Sequence, residues 1–296
     1  MARERVLIIL NPVAGHKAAQ KALFPLVKRL CAQDSTVIVH TTRAHGEAAE
    51  VAREAGAECD RIIVLGGDGT LSEVLSGLVR AGAKVPVGYV PTGTTNDLAH
   101  ALHLPAKAKD AIEVAAEGCV RQHDAGLLNG SAFFDYVASF GAFADTAFAT
   151  PQSLKNKLGR MAYIFRGARE VFTLRPHPVT VTAGGRVVSG AFYYGSISNS
   201  TRIGGVVDLS GAGVRFDDGL MEILLIRQPP TVQAMRDFAH QVYDPDYFVF
   251  LQADEATFRF EAPAEWTVDG ECAGEFTEVT FRCLPRAVQL IAPKQA

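Results

Sequence analysis

The sequence predicts an α/β protein whose N-terminal domain is doubly wound and whose second domain is mainly an antiparallel β-sandwich. In roughly the first 120 residues, continuous apolar runs alternate with segments of helical spacing, which is typical of a parallel sheet covered on both faces. Beyond that point the apolar runs are short and separated by turn signals, as in a sandwich. We therefore predict two domains.

The first domain is predicted over residues 1–122. Its apolar runs are short enough for strands, and alanines, leucines and charged residues recur at helical spacing between them. The predicted strands cover 5–10, 35–40, 61–65 and 85–90, and the predicted helices cover Ala18–Cys31, Glu47–Ala55 and Leu71–Val79.

The second domain is predicted over 123–286. Asn129-Gly130 and Gly184-Gly185 lie between alternating segments and predict two hairpins. A helix is predicted over 157–172, where apolar residues recur at helical spacing. Five further short strands are predicted at 219–226, 247–251, 256–262, 265–271 and 278–283. Residues 287–296 are predicted to form a C-terminal tail, and one arrangement open to this tail is packing against the first domain.

Charge and composition exclude several classes of protein. There are 29 Lys plus Arg against 32 Asp plus Glu, a net charge of −3, which argues against a nucleic-acid partner. The apolar N-terminal run is too short for the core of a signal peptide. The five cysteines include no C-x-x-C pair and predict reduced thiols. We expect a cytoplasmic protein that is at most peripheral at a membrane.

A glycine-rich loop, Gly66–Thr70, follows the third predicted strand and opens a helix. In open α/β sheets, ligands bind at the carboxyl ends of the strands, and a helix N-terminus suits phosphate. Glycines let a backbone approach such a ligand closely. Asp68 would repel phosphate unless a divalent cation or a proton lies between them. The alternative is a tight turn in which Asp68 caps the helix.

Two other strand ends carry similar loops. Pro91–Asp97 contains Gly93 and Thr94, which suit phosphate oxygens, and Asn96, whose role as a helix cap is the alternative. The first strand ends in the turn-rich segment Asn11–Lys17. Parallel strands end at one edge of a sheet, so we expect the three loops to lie side by side along that edge.

The ordered set of motifs resembles the diacylglycerol kinase catalytic-domain superfamily, and the bacterial soluble lipid kinases in particular. A Gly-Gly-Asp-Gly motif is shared with NAD kinases, but the motifs together span nearly the whole chain in the family's order. They are Asn11–Gly15, Gly66–Thr70 followed by Glu73, Pro91–Ala99, Asp124, Asp217–Ile223 and Val268–Glu271.

The resemblance implies an ATP site that combines all three loops with the end of the second strand. Its expected residues are Asn11, Thr42, Gly66, Gly67, Asp68, Gly69, Thr70, Leu71, Ser72, Glu73, Gly93, Thr94 and Asn96.

The resemblance also implies magnesium. In the family, the counterpart of Asp68 lies beside the phosphates and Mg²⁺, and Asp124 is expected in the same network of metal and water. A second Mg²⁺ site is implied at Asp218, with the backbone carbonyls of Arg215 and Leu220 as further ligands. A single carboxylate suffices because Mg²⁺ keeps several waters. The alternative at Asp218 is a plain Asp-Gly turn.

Transfer to a hydroxyl needs a carboxylate that accepts its proton. The resemblance points to the turn that holds Asp269 and Glu271, and the sequence does not decide between these two and Asp68. A surface hairpin is the alternative.

We expect an ATP- and Mg²⁺-dependent lipid kinase that transfers the γ-phosphate to a hydroxyl of diacylglycerol or a related lipid. It is thus a phosphotransferase with an alcohol group as acceptor, and its lipid lies at a membrane surface. A sphingoid base, another lipid alcohol or NAD remain alternative acceptors, and a non-catalytic nucleotide- or lipid-binding module is the alternative outside enzymes. A homodimer is left open.

Overall fold

The chain divides into two compact units. The first comprises Met1–Asp124 and Pro285–Ala296, and the second comprises Ala125–Leu284. The computed structural model describes residues 3–93, 96–141, 175–203, 207–208, 213–227, 244 and 246–294. The predicted helix over 157–172 and the predicted ATP-site residue Thr94 lie outside these described residues.

The first unit is the α/β part, as predicted. Its parallel strands are separated by helices, with single 3₁₀ turns at Ala14–Lys17 and Gly56–Glu58. The strands are β1 (Arg5–Leu10), β2 (Thr36–Thr41), β3 (Arg61–Gly66) and β4 (Val87–Pro91). The helices are α1 (Ala18–Cys31), α2 (Glu47–Ala55), α3 (Asp68–Ala81), α4 (Asp97–Ala101) and α5 (Ala108–Glu117).

Strand pairing in this unit follows the order β2-β1-β3-β4, and each of these pairs is parallel. The five residues Val6–Leu10 of β1 and the five residues Ile62–Gly66 of β3 are all buried, which explains their continuous apolar sequence. Leu10 pairs with Leu65, and Gly66 pairs with Pro91, so the carboxyl ends of β1, β3 and β4 are neighbours. The expectation of adjacent loops is confirmed.

Helices α1 and α5 pack on one face of this sheet. Their buried residues, such as Leu26 and Ile112, form one cluster with alternate residues of β1, such as Val6 and Ile8. Helices α2 and α3 pack closely against each other, because Gly77 brings α3 so near α2 that a Cβ there would lie 2.2 Å from the Ala49 carbonyl oxygen. None of the described helices has both the length and the apolar composition that a bilayer span requires.

The second unit is the predicted sandwich of mainly antiparallel strands. Two strands are shared with the first unit: β5 (Cys119–Leu128) enters the second unit and β16 (Glu271–Ala292) leaves it. The other strands are β6 (Ala132–Phe134), β7 (Val137–Gly141), β8 (His177–Ala183), β9 (Arg186–Phe192), β10 (Tyr194–Ser198), β11 (Arg202–Ile203), β12 (Val207–Asp208), β13 (Met221–Ile226), β14 (Phe248–Ala253) and β15 (Glu255–Val268).

Antiparallel pairing in this unit follows the order β14-β13-β10-β7-β15, and β15 also pairs with β8 and β16. Both predicted hairpin turns are confirmed. Asn129 and Gly130 join β5 to β6 with φ values of 49° and 68°, as a primed turn requires. Gly184 and Gly185 join β8 to β9 in the same left-handed region.

Aromatic side chains form the centre of this core. Phe140 lies with its ring centroid 4.9 Å from that of Phe260 and 5.1 Å from that of Trp266. Trp266 in turn lies 5.2 Å from Phe258 in an edge-on arrangement. Such offset and edge-on contacts add to the stabilisation that comes from burying the rings.

The prediction of separate short strands after residue 255 is wrong. The predicted strand at 278–283 is part of the longer β16, and the one predicted at 265–271 runs across the turn at Asp269 and Gly270. Residues 256–262 and 265–268 belong to a single strand, β15, whose pairing with β16 shifts register between Arg259 and Ala264. Pro263 lies within this shift. Because proline has no N–H to donate, it interrupts the hydrogen-bond ladder between β15 and β16. It also interrupts the strand pattern in the sequence, although the strand continues past it.

The connection from β2 to α2 is held by Glu47, the first residue of α2. Its carboxylate accepts hydrogen bonds from the backbone N–H of Arg43 (2.7 Å) and from the Arg43 guanidinium (3.0 and 3.1 Å), and it lies 3.0 Å from Nε2 of His40. These bonds, that of the Arg43 backbone above all, hold the pKa of Glu47 down to about 2.

We predict that Glu47→Gln lowers the melting temperature at pH 7 and that this difference shrinks in acid. The pKa of Glu47 falls from the usual 4.5 to about 2 in the fold. Its carboxylate therefore stabilises the fold fully above pH 4.5, and this stabilisation is lost as the pH falls towards 2. Melting curves of both proteins between pH 7 and pH 2.5 measure the effect. The control, Glu50→Gln, changes an exposed carboxylate that accepts hydrogen bonds from Arg53. A Glu47→Gln difference that does not depend on pH would contradict the prediction.

Candidate active site

Asp68 is the first residue of α3, and Gly67 is the helix N-cap, with an extended backbone. The alternative in which Asp68 caps the helix is therefore wrong. A carboxylate in the first turn interacts favourably with the helix dipole. Asp68 is half-buried, and its Oδ1 accepts a hydrogen bond from the hydroxyl of Tyr89 at 3.4 Å.

Most glycines of the loops after β3 and β4 are required by close contacts within the protein itself. A Cβ on Gly93 would lie 2.7 Å from both Cα of Gly67 and Oδ1 of Asn96, and a Cβ on Gly66 would lie 2.7 Å from the Thr70 side chain. Real Cβ atoms do not come that close. At Gly69, in contrast, a Cβ would meet nothing within 4 Å. Only Gly69 among these glycines offers a backbone that is open to a ligand.

The loop after β1 interlocks with the other two. Gly15 has φ +54°, and a Cβ there would lie 1.7 Å from the carbonyl oxygen of Thr92, so this position requires glycine. Asn11 donates from Nδ2 to Oγ1 of Thr70 at 3.1 Å and accepts the Val13 N–H at its Oδ1. The three strand-end loops therefore contact one another.

Backbone bonds between strand ends reinforce this arrangement. The Asn11 N–H donates to the Leu65 carbonyl at 2.9 Å, and the Thr92 N–H donates to the Gly66 carbonyl at 2.8 Å. Thr42 follows the same pattern on β2, with its N–H donating to the Leu10 carbonyl at 2.9 Å. Each predicted loop is thus fixed by the neighbouring strand.

Three predicted ATP-site residues lie further along α3. The side chain of Leu71 is buried in the core, and Ser72 is half-buried. Glu73 accepts the Ala48 N–H at 3.1 Å and lies 3.1 Å from Nδ1 of His45. Glu73 therefore joins α3 to the start of α2.

Asn96 occupies the N-cap position of α4 but makes no capping hydrogen bond through its side chain, so the cap predicted as the alternative is wrong. Its side chain turns back on the loop instead. Nδ2 donates to the Gly93 carbonyl at 3.0 Å, and Oδ1 accepts from the Tyr89 hydroxyl at 3.2 Å. Sequence reasoning missed Tyr89, whose only signal is a hydroxyl in a strand of otherwise apolar residues.

Asp124 is almost fully buried in the first unit, with 1% of its surface exposed. Its Oδ1 accepts the backbone N–H of Arg286 at 2.6 Å. Arg286 has a left-handed backbone, with φ +50°. Asp124 therefore holds the returning C-terminal segment at the point where that segment enters this unit.

In the second unit, Asp269 and Glu271 differ sharply in their surroundings. The Asp269 carboxylate accepts the backbone N–H groups of Asp135, Tyr136 and Val137 at 3.2, 3.2 and 2.9 Å. Its own N–H donates to the Val137 carbonyl, and its φ is +48°. Glu271, the first residue of β16, is exposed. Asp269 therefore anchors the turn, whereas Glu271 is an exposed residue at the end of that turn.

The predicted second metal site is an exposed turn. Oδ1 of Asp218 accepts the Leu220 N–H at 3.1 Å, and Gly219 has φ +81°. Arg215 and Asp218 are both exposed. Within the part of the chain that the structure describes, no group of three or more His, Cys, Asp or Glu side chains is placed to hold a metal ion.

Comparison with known proteins agrees with these features. The family model described as the diacylglycerol kinase catalytic domain matches residues 5–128, and the model described as the YegS C-terminal NAD kinase beta sandwich-like domain matches residues 137–292. Together they take in both units, including β1, β3, β4 and the turn of Asp269.

Relatives and a solved structure cover nearly the whole chain. A diacylglycerol kinase of Bacillus subtilis (strain 168) is 26% identical over 99% of this chain and 97% of its own length. A protein of Chromohalobacter salexigens named "Probable lipid kinase YegS-like" is 29% identical over 97% of this chain and 93% of its own. A crystal structure described as that of a candidate diacylglycerol kinase from Bacillus anthracis str. Sterne superposes with a TM-score of 0.82, at 25% identity, over 98% of this chain and 97% of its own.

The second-domain match alone covers more than half of the chain, and the first-domain match contains the three interlocked loops. The chain therefore belongs to the diacylglycerol kinase family, and it is a lipid kinase, a phosphotransferase with an alcohol group as acceptor.

Proposed function

We propose that this protein transfers the γ-phosphate of ATP to a hydroxyl of diacylglycerol or a related lipid, with Mg²⁺ as cofactor. The observation that carries this proposal is the arrangement at the start of α3. Three strand-end loops lock together around a helix N-terminus, and the backbone of Gly69 is open there beside the carboxylate of Asp68.

The open helix N-terminus is suited to the phosphates of ATP. The first N–H groups of α3 have no partner within the helix, and the helix dipole favours negative charge there. Asn11 and Thr70 are fixed to each other at 3.1 Å, so the loop is preorganised before a ligand binds. The proposed ATP site contains Asn11, Thr42, Gly66, Gly67, Asp68, Gly69, Thr70, Leu71, Ser72, Glu73, Gly93, Thr94 and Asn96.

The residues also fit Mg²⁺. Asp68 supplies a half-buried carboxylate beside the open backbone of Gly69, so a cation there would satisfy both the carboxylate and phosphate oxygens. Asp124 would belong to the same network, and Asp218 with the carbonyls of Arg215 and Leu220 would hold a second ion. When bound, Mg²⁺ neutralises the charge that develops on the phosphates during transfer.

For the proton acceptor we propose Glu271. The lipid oxygen forms its bond to the γ-phosphorus as the bond from that phosphorus to the bridging oxygen of ADP breaks, and the hydroxyl proton passes to a carboxylate. Asp269 already accepts three backbone N–H groups that fix its turn, whereas Glu271 is exposed two residues later. Asp269 would then hold Glu271 in place, and Asp68 would act through the metal.

We propose that the acceptor is a lipid and that the protein reaches it peripherally at a membrane surface from the cytoplasm. Diacylglycerol is the first candidate because relatives over nearly the full length carry that name. A sphingoid base, another lipid alcohol and NAD are the rival acceptors, and a homodimer is the assembly to be tested.

We predict that diacylglycerol in mixed micelles is labelled by γ-³²P-ATP only when Mg²⁺ is present, and that Asp68→Ala lowers the rate by on the order of a thousandfold while the protein keeps a cooperative melting transition. The matched control is Asp110→Ala, which removes an exposed carboxylate in the first turn of α5 and should retain the wild-type rate. Sphingoid bases, other lipid alcohols and NAD form the comparison panel. Labelling of NAD alone, or full activity of Asp68→Ala, would refute the proposal.

We predict that Gly69→Ala folds at least as stably as the wild type but binds ATP more weakly. Its methyl group meets no protein atom within 4 Å, and alanine favours a helix over glycine by up to about 1 kcal/mol. The same methyl would occupy the space where phosphate approaches. Gly93→Ala is the contrasting variant, because its Cβ would lie 2.7 Å from Cα of Gly67 and should destabilise the fold. Melting temperature and KM for ATP distinguish the two, and an unchanged KM in Gly69→Ala would exclude phosphate from this position.

We predict opposite behaviour for the two acidic residues of the second-unit turn. Glu271→Gln should lower kcat by at least about a hundredfold, the size of a lost general base, with an unchanged melting temperature. Asp269→Ala leaves three backbone N–H groups without their acceptor and should cost roughly 1–3 kcal/mol in stability. Denaturant unfolding and steady-state kinetics measure both. A stable Asp269→Ala with lost kcat, beside an active Glu271→Gln, would reverse the assignment.

A further inference from the structure

Tyr89 lies in the middle of β4, and only 1% of its surface is exposed. Its neighbours in the strand, Gly88 and Val90, have no polar side-chain atoms that could serve the phenol. A buried tyrosine hydroxyl is costly unless it forms hydrogen bonds. The partners of this hydroxyl therefore decide what the residue does.

The hydroxyl of Tyr89 reaches one oxygen on each of two loops. It lies 3.2 Å from Oδ1 of Asn96 and 3.4 Å from Oδ1 of Asp68. A tyrosine has one hydroxyl hydrogen, so the two acceptors share it. Asp68 opens α3, and Asn96 precedes α4. A single side chain from the strand between these helices thus connects their N-termini.

The bond to Asn96 has a second consequence. Asn96 has a left-handed backbone, with φ +50°, which is uncommon for a residue other than glycine and persists only when its surroundings hold it. The Asn96 amide is fixed at both ends, by the Gly93 carbonyl at Nδ2 and by Tyr89 at Oδ1. The Tyr89 hydroxyl therefore completes the set of bonds that fixes this turn.

We propose that Tyr89 is a positioning residue, which orients the Asp68 carboxylate and holds the Asn96 turn in the conformation that receives the Mg²⁺ complex of ATP. This inference rests on the function proposed above. The ring contributes packing, and the hydroxyl contributes orientation. Tyr89→Phe separates these contributions because it keeps the ring.

The test measures the affinity of purified full-length protein for the Mg²⁺ complex of the non-hydrolysable analogue adenylyl-imidodiphosphate, by titration calorimetry. Tyr89→Phe should retain a cooperative melting transition and raise the Kd about tenfold, as expected for a lost hydrogen bond to a charged group. In steady-state assays the KM for ATP should rise while the KM for the lipid stays unchanged. In an Asp68→Ala background, adding Tyr89→Phe should raise the Kd by clearly less than tenfold, because only the contribution through Asn96 remains.

Tyr194→Phe is the matched control. Tyr194 is likewise buried, in β10 of the second unit, and burial raises the pKa of its hydroxyl to about 12. Its loss of a hydroxyl should leave nucleotide affinity unchanged. If the wild type binds the nucleotide, an unaltered Kd in Tyr89→Phe would overturn the inference and leave the proposed function standing. A full tenfold loss that persists in the Asp68→Ala background would have the same meaning. A wild-type protein that binds no nucleotide would overturn both.

Discussion

Close approach between two glycines, Gly67 after β3 and Gly93 after β4, is the constraint on which the nucleotide end of the first unit depends. Parallel pairing makes these strand ends neighbours, but pairing alone leaves the loops free to spread apart. Because neither position carries a side chain, the two backbones come within contact distance. The side-chain amide of Asn96 then donates a hydrogen bond to the Gly93 carbonyl. The loop after β1 joins them through Gly15 and Thr92.

Much of this arrangement follows from the sequence. Continuous apolar runs predict β1 and β3, and parallel strands end at one edge, so the meeting of three loops could be deduced from composition and order. The roles of individual glycines could not. A glycine that faces a ligand and a glycine that faces another loop look identical in sequence, and only the position of Gly69 relative to its surroundings separates them.

The same limit applies to the acidic residues. Asp269 and Glu271 are two residues apart, and nothing in their spacing distinguishes a carboxylate that binds backbone N–H groups from one that faces outward. The partners of Asp269 lie more than 130 residues earlier in the chain. Tyr89 could not be identified from the sequence for a related reason, because the role of its hydroxyl depends on side chains of two other elements. Long-range contacts of this kind have no local signature.

Strand β16 completes the first unit with residues that are synthesised long after Asp124. Leu290 pairs with Val87, the Arg286 N–H binds Asp124, and Cys119 lies 3.6 Å from the Ala292 carbonyl oxygen. A ribosome that has released only the first 124 residues has therefore not yet supplied the strand that covers β4. The first unit therefore reaches its final form only after residues 285–292 have been synthesised, and until then the growing chain carries an unpaired β4 edge.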